Sequence, residues 1–336
     1  MKRKHLLLLL LFSFSTNSAP LYSLIREAVM HDPIVMEARA ELTSAQSRIE
    51  QASSAHWPVV TATGSKLLSQ SHRYSYDYDT EDILPGIRGE VNIFASGAIE
   101  ADVRRSESEA EYYHYKMEET KEETIHSFVS LYLDALREKQ SIAVLEQSLS
   151  RHNAILNDLN TISIHDTGRE SELVQAEARR LMVRQQINSR SRVLKTTLGK
   201  LSTWTKNPVT EADLENPFSR MTEAKLLTDF TQAPQKGNPS WLASQADVES
   251  KKAALKAQEL ARYSRVDLTG SVTRDDQQIG VNLSWDLFNR NASYGVTEKA
   301  AQIVAATGRL DSVARMIDET GRLSLITVRQ SRGEME

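Results

Sequence analysis

The chain has 336 residues, of which 26% are charged, with a formal net charge of −4, and it contains no cysteine. The lack of cysteine excludes disulfides, thiolate metal sites and a lipid anchor on an N-terminal cysteine. The mildly acidic balance argues against a nucleic-acid partner, which usually selects a basic surface. The length would suffice for two ordinary domains.

The first nineteen residues have the pattern of a secretory signal peptide. The basic residues Lys2-Arg3-Lys4 precede an apolar run from Leu6 to Phe14, and Ser18-Ala19 offers a cleavage site. The run is too short to span a bilayer as a helix. Export of a chain without cysteine indicates the envelope of a Gram-negative cell. Beyond the signal no segment approaches a transmembrane helix, so any membrane insertion must use strands.

A stretch of thirty-four residues that begins at Asp32 returns, without a gap, 206 positions later. Identical residues at this spacing are Pro33/Pro239, Ala40/Ala246, Ser44/Ser250, Ala55/Ala261, Val60/Val266, Thr63/Thr269, Gly64/Gly270 and Ser65/Ser271. A repeated sequence indicates a structural unit used twice; the alternative is chance similarity between two alanine-rich helices. We therefore predict a signal peptide at 1–19, a first repeat at 20–205, a connector at 206–236 and a second repeat at 237–336.

Each repeat is predicted to open with an amphipathic helix and to continue as two strands. Asp32 and Asn238 are the expected caps, each followed by a proline at the first helical position. Period-2 alternation of apolar and polar residues then predicts strands at about 59–68, 83–94, 265–274 and 279–288. Strands of this length suit a bilayer core, and the alternative is a half-buried sheet of a soluble protein.

A very long helix is predicted after the first pair of strands. Residues 97–165 hold no proline and, from Ala98, no glycine, and Phe128, Tyr132 and Leu136 belong to an apolar stripe of helical period. Such a length belongs to a bundle or a coiled-coil tube rather than to a globular core. The Gly-bearing break near Gly168 predicts a turn, and a return helix is expected at 171–201.

No catalytic, cofactor or metal site is predicted. The eight histidines are scattered without metal-ligand spacing, and no Gly-rich phosphate loop follows a strand. The carboxylates Glu118, Glu119, Glu122 and Glu123 are interpreted as a solvated helix face. The chain is therefore not expected to be an enzyme.

The order of these elements resembles the TolC-type outer-membrane efflux and secretion ducts. The similarity rests on Asp32-Pro33 with Ala38-Arg39-Ala40-Glu41, on Trp57-Pro58, on the pair Asn92-Ile93-Phe94-Ala95-Ser96-Gly97 and Asp286-Leu287-Phe288-Asn289-Arg290-Asn291, and on the run from Gly168 to Arg179. Several stretches look closest to ducts that serve type I secretion of large adhesins. The resemblance implies a mainly α fold with a small membrane β part.

In this family three copies close a twelve-strand barrel, four strands from each chain, in the outer membrane, and the helices form a periplasmic tunnel. The polar face of the strands would then line water and the apolar face would meet lipid; the expected pore-lining residues are Arg88, Glu90, Asn92, Asp267, Asn282 and Asp286. The helical tip would dock onto a periplasmic adaptor (a membrane fusion protein), which contacts an inner-membrane transporter; the expected docking residues are Asp166, Gly168, Arg169 and Ser171.

One departure from the family pattern concerns the second repeat. After Phe94 the first repeat spends about 110 residues on two helices, whereas 48 residues follow Phe288. The sequence is thus expected to be a C-terminally shortened duct, either working or inactive. A different class of protein, a periplasmic coiled-coil scaffold or adaptor, is the alternative, although the Gly-rich lipoyl-like halves that flank adaptor hairpins are missing.

Overall fold

The structure is a computed structural model that describes residues 20–66, 83–164, 166–217, 237–274 and 276–333. The predicted signal peptide lies outside these residues, as does most of the predicted connector. The described chain divides into two compact units: residues 20–36 and 121–217 form the first, and the remaining described residues form the second. Among the described residues helices dominate and four strands form one sheet, so the predicted fold class, mainly α with a small β part, is confirmed.

The second unit holds an antiparallel sheet in the order β1-β2-β3-β4. The strands are β1 (Val59–Ser65), β2 (Leu84–Phe94), β3 (Arg265–Thr273) and β4 (Gln277–Ser284). Each repeat therefore supplies one hairpin, and the pairing of β2 with β3 joins the two repeats. β4 ends four residues before the sequence alternation predicts. The sequence also predicts a longer loop from Ser69 to Glu81, which lies outside the described residues.

Four helices enter the second unit: α2 (Pro33–Ser53), α3 (Ala98–Ser163), α5 (Pro239–Leu260) and α6 (Arg290–Gly333), of which α2 begins and α3 ends in the first unit. Its buried positions carry mostly small side chains, which let helix backbones approach closely: Ala38, Ala45, Ala101, Ser106, Ala110, Ala243, Ala246 and Ala306. Arg309 of α6 pairs with Asp247 of α5 at 3.6 Å.

The predicted helix caps are confirmed in both repeats. The Asp32 carboxylate accepts hydrogen bonds from the backbone N–H groups of Ile34 at 2.7 Å and Val35 at 3.2 Å. The Asn238 side chain accepts one from Ser240 N–H at 2.9 Å. These bonds satisfy donors that have no partner inside the helix, which is why a polar residue before proline starts each repeat.

The first unit contains α1 (Pro20–His31), residues 121–163 of α3 and the return helix α4 (Glu170–Leu201). Its core includes Ala28 of α1 together with Phe128, Tyr132, Leu136, Leu194, Leu198 and Leu201, so the apolar stripe predicted for α3 is buried against α4. The sequence analysis did not predict α1, which precedes the duplicated stretch. Its signal was the helical spacing of Leu21, Leu24, Ile25 and Ala28, which all pack on this core.

Hydrogen bonds between charged side chains and their partners also hold the elements of the first unit together. Arg190 of α4 donates from Nη1 to both carboxylate oxygens of Glu138 on α3, at 2.9 and 3.0 Å, and the Glu138 residue is only 3% exposed. The start of the predicted connector packs here, because Val209 and Leu214 are buried in the core. Lys139 Nζ donates to the carbonyl oxygens of Glu211 at 2.7 Å and Leu214 at 3.0 Å.

Candidate functional site

The register of the sheet brings three predicted pore residues into one row. Asn92 of β2 lies opposite Asp267 of β3, which lies opposite Asn282 of β4. Directly opposed residues of antiparallel strands share a face, so the predicted alternation is consistent across all three strands. Asn92 Nδ2 donates to Asp267 Oδ1 at 2.8 Å. The row is therefore joined by a hydrogen bond between the two repeats.

Asp267 is the most enclosed member of this row. Its residue is 4% exposed, and its second oxygen accepts a hydrogen bond from Arg265 Nε at 3.0 Å. A buried carboxylate needs such partners because burial removes its hydration. Arg265 was not among the pore residues predicted from sequence. Its position two residues before Asp267 places it on the same face of β3 and could have indicated it.

Arg88 and Glu90 lie on the same face of β2 as Asn92, four and two residues before it in the chain. Arg88 lies opposite Ser271 and Thr61, and Glu90 lies opposite Thr269. Both charged side chains are exposed. A cavity of about 590 Å³ opens over this end of the polar face, with Trp57, Arg88, Glu90, Asp102, Tyr263 and Asp267 among its lining residues. The arrangement is a hydrated surface of mixed charge.

The other face of the sheet is apolar and largely exposed. It carries Val60, Ala62, Ile87, Val91, Val266, Leu268, Val272, Ile279, Val281 and Leu283, as the paired registers require. The exposed fractions are 69% for Val60, 59% for Ile87 and 68% for Leu283. Large contiguous apolar surfaces of this kind mark contact with a membrane or with another protein.

Asp286, the sixth predicted pore residue, lies two positions beyond the end of β4. Its carboxylate accepts a hydrogen bond from Asn289 Nδ2 at 2.8 Å, and Asn289 Oδ1 caps the start of α6 by accepting from Ala292 N–H at 3.1 Å. The prediction that a strand runs to residue 288 therefore differs from the structure, because a helix-capping turn occupies these residues in the single chain.

The passage from β2 into α3 is made by a turn with two left-handed residues. Ser96 has φ 51° and Gly97 has φ 80°. The left-handed conformation is unfavourable for a serine, and its hydroxyl offsets part of the cost by donating to the Ser264 carbonyl at 2.7 Å. The motif was recognised in sequence, but this strain was not.

The predicted docking residues are together at the turn between α3 and α4. Asp166 accepts a hydrogen bond from Gly168 N–H at 3.0 Å and lies 3.6 Å from Arg169 Nε, and Arg169 also lies 3.8 Å from Glu172. Ser171 is exposed in the first turn of α4, and Ile164 beside the turn is 77% exposed. The turn thus presents a small charged cluster next to an apolar side chain.

Gly168 serves this turn differently from a usual helix-ending glycine. Among the described glycines only Gly97 has a left-handed φ. A Cβ at position 168 would instead meet Asp166 Oδ1 at 3.2 Å. A larger residue here would therefore crowd the capping carboxylate, which would have to shift by a few tenths of an ångström, and the glycine does not serve a left-handed backbone.

Within residues 20–66, 83–164, 166–217, 237–274 and 276–333, no three side chains of the metal-binding types converge on one point. In those same ranges no helix combines the length and apolar character needed to cross a bilayer.

Comparison with known proteins identifies the fold. The chain superposes on CusC, in structures that concern folding and transmembrane channel formation, with a TM-score of 0.74 and 12% identity over 96% of this chain and 80% of that one. The outer membrane protein VceC of Vibrio cholerae gives a TM-score of 0.74 and 17% identity over 95% and 84%. The open outer membrane channel MtrE of Neisseria gonorrhoeae gives 0.70 and 13% over 94% and 76%.

Sequence comparison gives the family. No curated protein matches the chain. The sequence model for the outer membrane efflux proteins matches residues 24–200, which is more than half of the chain and includes β1, β2, α3 and nearly all of α4. The resemblance inferred from the sequence motifs is thereby confirmed. The chain belongs to the outer membrane efflux protein family.

Proposed function

We propose that the chain is the outer-membrane duct of an export system and that it supplies a passive path without chemistry. The observation that carries the proposal is the four-stranded sheet of the second unit, which has one polar face and one exposed apolar face. In the part of the chain that the structure describes, no further strand pairs with β1 or β4 at its outer edge. A sheet of this kind is unsuited to water on both sides. It suits a wall between lipid and an aqueous pore.

The apolar face is the proposed lipid-facing surface. Ile279 is 87% exposed, Val281 67% and Leu283 68%. Apolar surface that is removed from water contributes about 25 cal/mol of stabilisation per Å². Transfer of the whole apolar face into hydrocarbon therefore favours insertion. The strands contain 7 to 11 residues, close to the roughly 9–11 residues of a tilted membrane strand.

The two outer edges of the sheet require further copies of the chain. In hydrocarbon an unpaired backbone N–H or C=O group costs several kcal/mol, so membrane sheets close on themselves. Four strands are too few for a membrane barrel, for which about eight is the smallest size. Three copies would give twelve strands, which is the closed form that the family resemblance implies. The proposed assembly is therefore a homotrimer in the outer membrane.

The polar face is the proposed pore lining. Arg88, Glu90, Asn92 and Asn282 would face water there, and Asp267 would lie on the same face beneath its partners Asn92 and Arg265. Asp286 joins them only if the strand β4 lengthens on assembly. The charged pairs on this face include both signs, Arg265 with Asp267 being in contact at 3.0 Å. A lining of mixed sign fits a duct that passes varied solutes.

The turn between α3 and α4 is the proposed docking tip for a periplasmic adaptor, which would connect the duct to an inner-membrane transporter. Asp166, Gly168, Arg169 and Ser171 are exposed there, with Ile162 and Ile164 beside them. Exposed charges next to exposed apolar side chains suit a protein interface. Service in type I secretion of adhesins is a narrower proposal that rests on the sequence resemblance alone.

Reconstitution into planar lipid bilayers tests the duct. The detergent-extracted protein should produce discrete conductance steps, because trimers enclose a water-filled path. Arg88→Glu should shift the reversal potential in a salt gradient toward cation preference, since it replaces a positive pore charge by a negative one. Inserted trimers that never conduct would contradict the proposal. Recovery of the protein in the soluble periplasmic fraction would favour the scaffold or adaptor instead.

A further inference from the structure

The two hairpins of the sheet follow one register, which can be read from two independent features. Val60 pairs with Gly89 in the first hairpin, and Val266 pairs with Leu283 in the second. Because Val60 and Val266 are equivalent in the duplicated sequence, Gly89 and Leu283 are equivalent too, 194 positions apart. The same spacing aligns Phe94 with Phe288 in the motifs that lead into α3 and α6.

The pairing of β2 with β3 shows how one hairpin joins the next. In this joint Gly89 lies opposite Gly270, and Asn92 lies opposite Asp267. If each hairpin meets its neighbour in the same way around a closed barrel, the free edge of β4 must receive the free edge of β1 from another copy. The joint within the chain then specifies the joint between chains.

We propose that β4 pairs antiparallel with β1 of a neighbouring copy in the register that the β2–β3 joint dictates. The proposed opposed pairs are Asn282/Ser65, Leu283/Gly64, Ser284/Thr63 and Asp286/Thr61, the second residue of each pair belonging to the neighbouring copy. Phe288 then lies opposite Val60 of that copy, because the register of the β2–β3 joint shifts by one residue between Asn92 and Phe94. This inference rests on the proposed function, in which copies of the chain close a barrel. It goes further by fixing which residues meet.

The faces of the strands agree with this register. Leu283 and Phe288 meet residues of the apolar face of β1, and Ser284 and Asp286 meet residues of its polar face. A shift by one residue would set every polar side chain of β4 against the apolar face of β1. The proposed pairing therefore continues both faces across the junction.

The early end of β4 is explained by the same joint. Pairing of β1 with β2 stops at Glu90, and Val91, Asn92 and Phe94 are paired by β3 alone. Pairing of β3 with β4 likewise stops at Ser284. The equivalents of Val91 to Phe94 are Trp285 to Phe288, whose partner strand is the one that a neighbouring copy would bring. On assembly β4 extends to Phe288, and Asp286 enters the polar face opposite the Thr61 hydroxyl.

Paired cysteines test the register on a chain that has no cysteine of its own. Ser284→Cys with Thr63→Cys probes the polar face, and Leu283→Cys with Gly64→Cys probes the apolar face. Directly opposed pairs alternate between Cα separations of about 5.5 and 4.5 Å, so one of the two pairs lies in the closer class. A Cβ at Gly64 would meet nothing nearer than Ile83 at 3.6 Å, so the substitution should be tolerated.

Oxidation of either pair in outer membranes should convert monomers into covalent dimers and trimers on a denaturing gel, reversed by reductant. A bond within one chain is excluded because β1 and β4 are three strand spacings, about 14 Å, apart. The matched controls shift one partner by two residues on the same face: Ser284→Cys with Thr61→Cys, and Leu283→Cys with Ala62→Cys. These should cross-link far less, since diagonal neighbours are about 7–8 Å apart.

The outcomes separate this inference from the proposed function. Trimers that form but cross-link better through the shifted pairs would overturn the register and leave the barrel intact. Absence of trimers from the cysteine-free chain would overturn both. As a second measurement, co-expression of a Ser284→Cys chain with a tagged Thr63→Cys chain should give covalent heterodimers and no covalent trimer; homodimers of either single variant would also overturn the pairing.

Discussion

The hydroxyl of Tyr132 on the long helix α3 makes hydrogen bonds to the early part of the connector. It accepts a hydrogen bond from Glu215 N–H at 2.7 Å and donates toward the carbonyl oxygens of Asp213 at 2.9 Å and Glu215 at 3.0 Å. Burial raises the pKa of Tyr132, with the Glu215 N–H acting in the opposite direction. The tyrosine therefore stays neutral and keeps its role as donor and acceptor.

Tyr132→Phe should loosen this segment and leave the helices in place. The substitution leaves the Glu215 N–H without its acceptor, at a cost of about 1–2 kcal/mol. Amide hydrogen exchange at Glu215 should accelerate roughly tenfold, following the same free energy. Tyr22→Phe is the matched control, because Tyr22 of the same unit is 66% exposed. Equal exchange at Glu215 in both variants would show that the hydroxyl carries no stability.

Asp213 should make the same segment sensitive to acid. Hydrogen bonds from the Thr210 hydroxyl and the Thr210 N–H hold the pKa of Asp213 below its usual 3.8. A carboxyl whose pKa is lower in the folded state stabilises that state above the unfolded pKa, and the stabilisation is lost as pH falls through the lower folded value. Protection of the Leu214 amide should thus be constant above about pH 5 and decline below pH 4.

The control for this pH dependence is Asp213→Asn, which keeps an oxygen for the Thr210 donors but cannot ionise. The acid-dependent loss of protection should disappear in that variant. An unchanged decline in Asp213→Asn would assign the effect to another group.

The alternation of apolar and polar side chains in β4 allows a paired test of which face of the sheet meets lipid. Leu283→Arg places a charge on the proposed lipid face and should cost about 2–4 kcal/mol near the bilayer midplane. Asn282→Arg places the same side chain on the proposed water face and should be tolerated. The yield of protein assembled in outer membranes measures both. Similar losses from the two variants would show that the faces are wrongly assigned.

Elements with a strong local signal could be predicted from sequence. Period-2 alternation located all four strands, and the caps at Asp32 and Asn238 located the starts of α2 and α5. Features that depend on distant residues could not. The contact of Ser96 with Ser264 joins positions 168 residues apart. The end of β4, in our proposal, is set by a strand of a neighbouring copy. α1 was readable from its apolar spacing but lay outside the repeat that organised the prediction.

The proposed docking tip, the turn between α3 and α4, should act in adaptor binding rather than in folding. Asp166→Asn retains an oxygen to accept the Gly168 N–H, and Arg169→Gln replaces the guanidinium by a shorter, uncharged polar side chain. The double variant therefore removes charge with little change in the turn. It should form trimers at normal yield and lose chemical cross-linking to a periplasmic adaptor.

Glu146→Gln with Arg151→Gln is the matched control, because both residues are exposed on α3 away from the turn. Its cross-linking should match that of the unmodified chain. A collapse of trimer yield in the Asp166 and Arg169 variant would instead make the tip a folding element.

Heat-sensitive migration on a gel shows whether copies of this chain close a barrel in the outer membrane. The membranes of cells that express the full chain are separated, and the outer-membrane fraction is run, unheated and heated, on a denaturing gel. Three chains joined by continuous strand pairing should migrate as a trimer when unheated and as a monomer after boiling. A monomer in both lanes, or protein confined to the soluble periplasmic fraction, would contradict the account.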